Sequence, residues 1–159
     1  MSRAFVKEDL VDVASEVILP DRSISPHPNL VTESGMKALE REMKLSRDAL
    51  AEAAKAEDLS ERNRRSAIPL RDIRYYSERL RTAQLIEPTV STSVGFGHEV
   101  SLRYDDGREL SYRIVGEDEA DPNEGSISFA SPLARNLMGK SVGDIVTLGK
   151  HEIEILSIS

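Results

Sequence analysis

The acidic pair in Asp58-Leu-Ser-Glu61 is where residue type and spacing in this chain most suggest chemistry. Residues three apart share a face of a helical turn, so both carboxylates can point at one cation. Hard divalent cations take oxygen ligands of this kind. The same residues have a plainer use, with Asp58 or Ser60 capping a helix and Glu61 as a solvated acid in its first turn. Arg62, Arg64 and Arg65 follow at once. They can neutralise the pair, bind phosphates or carboxylates through their forked donors, or form an ordinary solvated helix face.

The other candidates are weaker. His27, His98 and His151 are isolated and match no metal-ligand spacing, which reads as surface or half-buried roles. Gly95-Phe-Gly97 lacks the third glycine of a dinucleotide loop and does not open a helix after a strand. The acidic run Glu117 to Glu124 lacks the alternating ligands of a calcium loop and reads as a hydrophilic connection. No serine has the partners of a catalytic triad. The chain contains no cysteine, which excludes disulfides, thiol nucleophiles and thiolate metal sites.

The elements that must position the acidic pair follow from periodicity. From Thr32, a candidate N-cap, the residues Met36, Leu39, Met43, Leu50 and Ala53 recur at three- and four-residue steps. A second narrow stripe follows at Ile73, Tyr76, Leu80, Ala83 and Ile86. Two such stripes joined by a short polar segment predict an antiparallel coiled-coil hairpin over 30–87, with Asp58 and Glu61 at its turn. Pro69 predicts that the second helix starts or bends there. Residues 1–29, with Pro20, Pro26 and Pro28, read as an extended or mobile arm, whose Phe5, Val6, Leu10, Val17, Ile18 and Leu19 are suited to docking on the body or on a partner.

After Pro88 the period changes to two. Val100, Leu102 and Tyr104 lead into the turn Asp106-Gly107, and Leu110, Tyr112 and Ile114 continue beyond it, which predicts a β-hairpin. Ile127 and Phe129 predict a short strand, Ser131-Pro132 a helix of about two turns closed by Gly139, and Ile145, Val146, Leu148 with Ile153, Ile155, Ile158 a closing hairpin. The expected class is α+β: a helical hairpin followed, over 88–159, by a small sheet carrying one short helix.

Composition agrees with that shape. Of 159 residues, 39% are hydrophobic and 31% charged, with three Phe, four Tyr and no Trp, as suits a modest core beneath much solvated surface. The net charge of −7 argues against sequence-independent binding of duplex DNA, which depends on basic residues neutralising phosphates. The stretch Arg62, Arg64, Arg65, Arg71, Arg74, Arg79, Arg81 is a local exception. No apolar run approaches a membrane span, and the acidic stretch Met1 to Glu16 lacks the pattern of a signal peptide, so a cytoplasmic protein with no membrane partner is expected.

Several segments, taken together, resemble the Gre family of bacterial transcription factors. Leu30 to Met43 resembles the start of the Gre hairpin and Ala83-Gln-Leu-Ile86 its exit. Arg113-Ile-Val-Gly116, then Ser131-Pro-Leu-Ala-Arg-Asn-Leu-Met-Gly-Lys140, then Val142-Gly-Asp144 stand in the order and spacing of the Gre C-terminal domain. The likeness runs from about residue 30 to the end. The opening arm, with Ser25-Pro-His-Pro-Asn29, is similar to the extension of a divergent proteobacterial branch.

The resemblance implies an antiparallel coiled coil followed by an FKBP-like domain, and an accessory factor, monomeric when free, rather than an enzyme. It implies RNA polymerase as partner, with the C-terminal domain at the rim of the secondary channel and the hairpin inside it. Asp58 and Glu61 would then share a Mg²⁺ with the polymerase, near the nascent RNA 3′ end, and stimulate cleavage of backtracked transcripts, while the factor has no cofactor of its own. Ser131, Pro132, Leu133 and Arg135 would form the polymerase-docking neighbourhood. Two features depart from the family. The tip is basic, at Arg62, Arg64 and Arg65, where Gre factors are acidic. Each hairpin arm is about one heptad shorter, a loss of roughly 10 Å of reach. Three alternatives follow: a non-cleaving modulator of the channel, a plain polymerase-docking module, and a prolyl isomerase suggested by the FKBP-like shape.

Overall fold

The computed structural model describes residues 18–159. Two long helices come first, α1 (Glu33–Ala53) and α2 (Leu59–Thr82), bracketed by two short strands, β1 (Leu30–Val31) and β2 (Gln84–Leu85). There follow β3 (Glu99–Tyr104), β4 (Glu109–Val115), a 3-10 turn at Pro122–Glu124, β5 (Ser126–Ser128), α3 (Pro132–Leu137), β6 (Ile145–Leu148) and β7 (His151–Ile158). By internal contacts the chain divides into two compact units. One holds Glu40–Glu78 with the arm up to Ile24, and the other holds Ser25–Leu39 with Arg79–Ser159.

Helix α1 starts where its cap predicts. The Thr32 hydroxyl accepts the Gly35 N–H at 3.0 Å and the Thr32 carbonyl accepts the Met36 N–H at 2.9 Å, which satisfies donors that no earlier turn can reach. Along its length Leu39, Met43 and Ala53 are buried and Met36 and Leu50 half-buried, with Ser46 filling the remaining place in the stripe. The polypeptide then reverses within 54–58, and α2 begins at Leu59. This is ten residues earlier than Pro69 suggested, and Pro69 sits inside the helix. The proline withholds one hydrogen bond from the ladder, and the 24-residue helix carries that loss. Ile73, Tyr76 and Leu80 are half-buried, as befits a stripe covered on one side.

The far ends of the two helices are tied together. β1 pairs with β2 in parallel, Leu30 beside Gln84 and Val31 beside Leu85. Asn29 donates its amide to the Arg79 carbonyl at 2.7 Å and to the Thr82 hydroxyl at 3.2 Å, closing one of the carbonyls that a helix C-terminus leaves open. With a short turn at one end and this clasp at the other, the pair is an antiparallel hairpin. Gly116 makes the clasp possible: a Cβ there would come within 2.3 Å of the Leu30 carbonyl oxygen, so only glycine lets the β1 backbone pass so close.

The sheet has the order β5-β4-β3-β7-β6. β3 pairs antiparallel with both β4 and β7, β7 with β6, and β5 adds in parallel to β4. Alternation puts Val100 and Leu102 of β3 and Ile153 and Ile155 of β7 on one face, all fully buried. A register shift follows, because Ser101 faces Ser157 while Leu102 faces Ile155, leaving Leu156 as the extra residue of a bulge. Across this face lie Val94, Phe96, Ile114, Ile127, Val146, and Ala134 and Leu137 of α3. Helix α3 opens with the Ser131 hydroxyl accepting the Ala134 N–H and Pro132 in its first turn. Gly139, at a φ of +79°, turns the chain out of it. The turn at Gly107, whose N–H bonds the Tyr104 carbonyl, also follows expectation. Leu110 does not join the core: 37% exposed, it lies near the turn of the β3-β4 hairpin, one pair in from Arg103 and Glu109.

Candidate functional site

The tip is built from the end of α1, the reversal and the first turn of α2. The N–H groups of Lys55 and Ala56 bond back to Glu52 and Ala53, so α1 ends in a tightened turn. Asp58 caps α2: its Oδ2 accepts the Glu61 N–H at 3.1 Å and its carbonyl accepts the Arg62 N–H at 2.9 Å. The capping role foreseen for Asp58 is therefore real. It engages one carboxylate oxygen and leaves the exposed side chain otherwise open.

Glu61 points the other way along the helix, to Arg65 at 2.6 Å. Both partners are substantially exposed, and an i,i+4 pair of this kind contributes only about 0.3–0.5 kcal/mol. Arg62 donates to the Glu57 carbonyl at 3.1 Å and so braces the reversal from within. Arg64 is exposed. Among the described residues no group of three or more His, Asp or Glu converges on a point that could hold a metal. Asp58 and Glu61 offer two carboxylate groups, fewer than a hard cation's full set of ligands, so other groups would have to complete its coordination.

The arginine-dense stretch is not one patch. Arg79 is only 2% exposed and pairs with Asp118 at 2.6 Å. Arg74 bonds Asp21 and the Leu19 carbonyl, and Arg71 bonds Asp72. Only the members nearest the tip form a basic collar. The acidic connection after β4 is likewise more than a solvated loop, since Asp118 meets Arg79 and Glu119 accepts from both Thr32 and Ser34 at the start of α1. Sequence reasoning missed both roles, because charge runs give no sign of which member will be buried.

The docking motif is used in part for construction. The Ser131 hydroxyl donates to the Ser128 carbonyl at 2.6 Å as well as capping α3, Leu133 packs half-buried against the sheet core, and Pro132 is exposed. Arg135 is exposed and approaches the His27 ring at 3.3 Å, beside the edge contact of His27 with Phe129.

The other histidines are structural. His98 is buried, its Nδ1 accepting the Gly95 N–H at 2.9 Å, which leaves Nε2 to donate to the Thr89 carbonyl at 2.6 Å. His151 bonds Asp105 at 2.9 Å. That bond, with the Glu152 backbone N–H, holds the Asp105 carboxyl below the usual carboxylate range. The aromatic residues of this half do not gather around a cleft. Phe96 and Phe129 meet edge to face in the core, and Tyr104 lies beside His151. This gives no support to an isomerase site.

A helical hairpin whose reversal carries two carboxylates, followed in the chain by a five-stranded sheet with one short helix, defines an α+β class of protein built in two parts. The family is shown by relatives. Residues 89–159 match the family model described as the C-terminal part of the transcription elongation factors GreA/GreB. Transcription elongation factor GreA of Alkalilimnicola ehrlichii is 40% identical over 125 residues, covering 69% of this chain and 78% of that protein. GreA of Helicobacter pylori strain Shi470 is 45% identical over 89 residues, 52% of this chain, which spans about half, 54%, of that relative's length. Among solved structures, the GreA homologue Gfh1 of Thermus thermophilus aligns over 84% of this chain and 99% of its own, at 25% identity and a TM-score of 0.40. GreA/GreB from Nitrosomonas europaea aligns over 84% and 98%, at 15% identity and 0.40. The chain belongs to the GreA/GreB family of transcription elongation factors. Among the described residues no helix is long and apolar enough to cross a membrane.

Proposed function

We propose that this chain is an accessory elongation factor that binds RNA polymerase, enters its secondary channel with the hairpin, and stimulates cleavage of backtracked transcripts through Asp58 and Glu61. The observation that carries the reading is the exposed carboxylate pair at the reversal of the hairpin, in a member of this family. The bond-breaking step belongs to the polymerase active site. A Mg²⁺ shared with that site would supply charge neutralisation at the scissile phosphate. The chain contributes position: the cap at Asp58 fixes the first turn of α2, and the Glu61 carboxylate is released by a rotation away from Arg65. Arg64, exposed beside the pair, would meet the phosphates of the nascent RNA 3′ end. Ser131, Pro132, Leu133 and Arg135 form the docking neighbourhood on the polymerase, and the free factor is a monomer.

A second reading is favoured by the basic collar. With Glu61 held by Arg65 and with Arg62 and Arg64 beside it, the tip is less available to a cation, and a hairpin of this kind occupies the channel without promoting cleavage. Both readings place the tip inside the polymerase. A photo-crosslinking residue at Ser60, in the full chain bound to a stalled elongation complex, tests that placement. Crosslinks to the catalytic subunit or the RNA 3′ end are expected, and crosslinks confined to the outer surface would refute it.

A further inference from the structure

The segment Ser25-Pro-His-Pro-Asn29, which belongs to the same compact unit as the sheet, forms a stiff mount. Pro26 and Pro28 fix their own φ, and each also keeps the residue before it, Ser25 and His27, extended. The His27 N–H donates to the Ser25 hydroxyl at 3.2 Å, the Leu30 N–H to the Pro28 carbonyl at 3.0 Å, and the Asn29 amide to Arg79 and Thr82. Held in this way, the half-buried His27 ring stands edge-on to Phe129, whose own ring meets Phe96 in the core.

Nη2 of Arg135 reaches Nε2 of this ring at 3.3 Å. A guanidinium only donates, so Nε2 accepts and the imidazole carries its proton on Nδ1. Among the described residues His27 is the one hydrogen-bond partner of the Arg135 side chain, and no carboxylate pairs with it. One N–H of the fork is thus engaged and the others remain for an acceptor. Pro132, Arg135 and Met138 stand three residues apart along α3 and its C-terminal cap, and all three are exposed. A cation between two apolar groups fits a protein surface that presents a carboxylate. It fits nucleic acid poorly, because affinity for that polymer comes from several cations acting together and this chain carries a net charge of −7.

We propose that His27 belongs to the docking surface as a positioning residue, aiming the Arg135 fork at a carboxylate on the partner protein. An arginine already ordered loses less side-chain entropy when it docks than one that swings freely. The planar fork can then take a carboxylate with paired donors, which a point charge cannot do. The identity of the partner as RNA polymerase rests on the proposed function. The pairing of His27 with Arg135 does not.

Binding of the full chain to immobilised core RNA polymerase, measured by biolayer interferometry, tests the proposal. His27→Phe keeps a ring beside Phe129 and removes the acceptor, whereas His27→Gln restores an acceptor near the same place. One ordinary hydrogen bond corresponds to about twofold to tenfold in affinity. His27→Phe should therefore weaken binding by about fivefold and His27→Gln by less than about twofold, with thermal melts of both unchanged. Arg135→Met, which keeps the stem and removes the fork, should weaken binding by about tenfold or more. Adding His27→Phe to Arg135→Met should cause no further loss, because His27 acts through Arg135. Unchanged affinity in His27→Phe, or effects of the two substitutions that add, would overturn the proposal while polymerase binding itself stands. A wild type that does not bind polymerase would overturn the proposed function and the partner named here with it. Binding to single-stranded RNA that is equally tight and equally dependent on Arg135 would make nucleic acid the occupant and overturn the proposal as well.

Discussion

Replacing Arg79 by Met should destabilise the root of the hairpin more than any substitution at its tip. Arg79 is 2% exposed, its guanidinium bonds Asp118 at 2.6 Å, and its carbonyl accepts the Asn29 amide. Methionine keeps the aliphatic volume and the backbone bond, so the variant isolates the charge. Removing one member of a buried pair ordinarily costs about 3–5 kcal/mol, because the other is left uncompensated. The Asp118 side chain keeps 18% exposure and has further interactions, which places the expected loss at the low end, about 3 kcal/mol. With a urea dependence of about 2 kcal/mol/M for a protein of this size, the unfolding midpoint should fall by about 1.5 M. Adding Asp118→Asn to Arg79→Met removes the stranded charge and should recover more than about 1 kcal/mol, a coupling that a double-mutant cycle reads directly. A loss below about 0.5 kcal/mol for the single variant, or additive effects for the two, would refute the account of Arg79.

Gly116→Ala brings a Cβ against the Leu30 carbonyl oxygen and should displace β1, lowering stability by about 1–3 kcal/mol in the same denaturation assay. Asp58→Ala should cost about 1 kcal/mol through the lost cap, with faster amide exchange at Glu61, whereas Asp58→Asn should retain the cap to within a few tenths. Asp105, whose folded pKa is lowered by His151 and by the Glu152 N–H, contributes stability that is present above its unfolded value and lost as pH falls through the lower folded one. Asp105→Asn should therefore flatten the stability profile below about pH 4, measured by thermal melts across that range. Arg65→Gln should free Glu61 and raise the rate of transcript cleavage if the carboxylate pair is active, and leave it unchanged if the hairpin only occupies the channel.

Much of the fold was legible in local signals. Thr32, Ser131-Pro132 and Asp106-Gly107 mark boundaries through their own hydrogen bonds, and all three stand where expected. The stripe of α1 was visible because its polar neighbours are exposed. The start of α2 was not, because proline propensity is a local penalty that a long packed helix absorbs. Leu110 follows the alternation of β4 yet stays 37% exposed, because alternation predicts a face without predicting where its cover ends. The largest omission was electrostatic. The burial of Arg79, the Asp118 and Glu119 contacts, and the Arg22 stack on Tyr75 depend on residues 39 to 87 positions apart in the first cases and 53 in the last, and no spacing rule reaches that far. At the tip the sequence supplied the residues and both of their uses. It could not say that Asp58 would cap while Glu61 turned toward Arg65.

The most direct measurement is transcript cleavage in a stalled, backtracked elongation complex at saturating factor, comparing the wild type with Asp58→Asn plus Glu61→Gln. These replacements keep the cap and the shape of the tip while removing both charges. The account predicts that the wild type accelerates cleavage and that the double variant binds equally well without accelerating it. Equal acceleration by both, or none by a wild type that binds, would contradict the role given to Asp58 and Glu61.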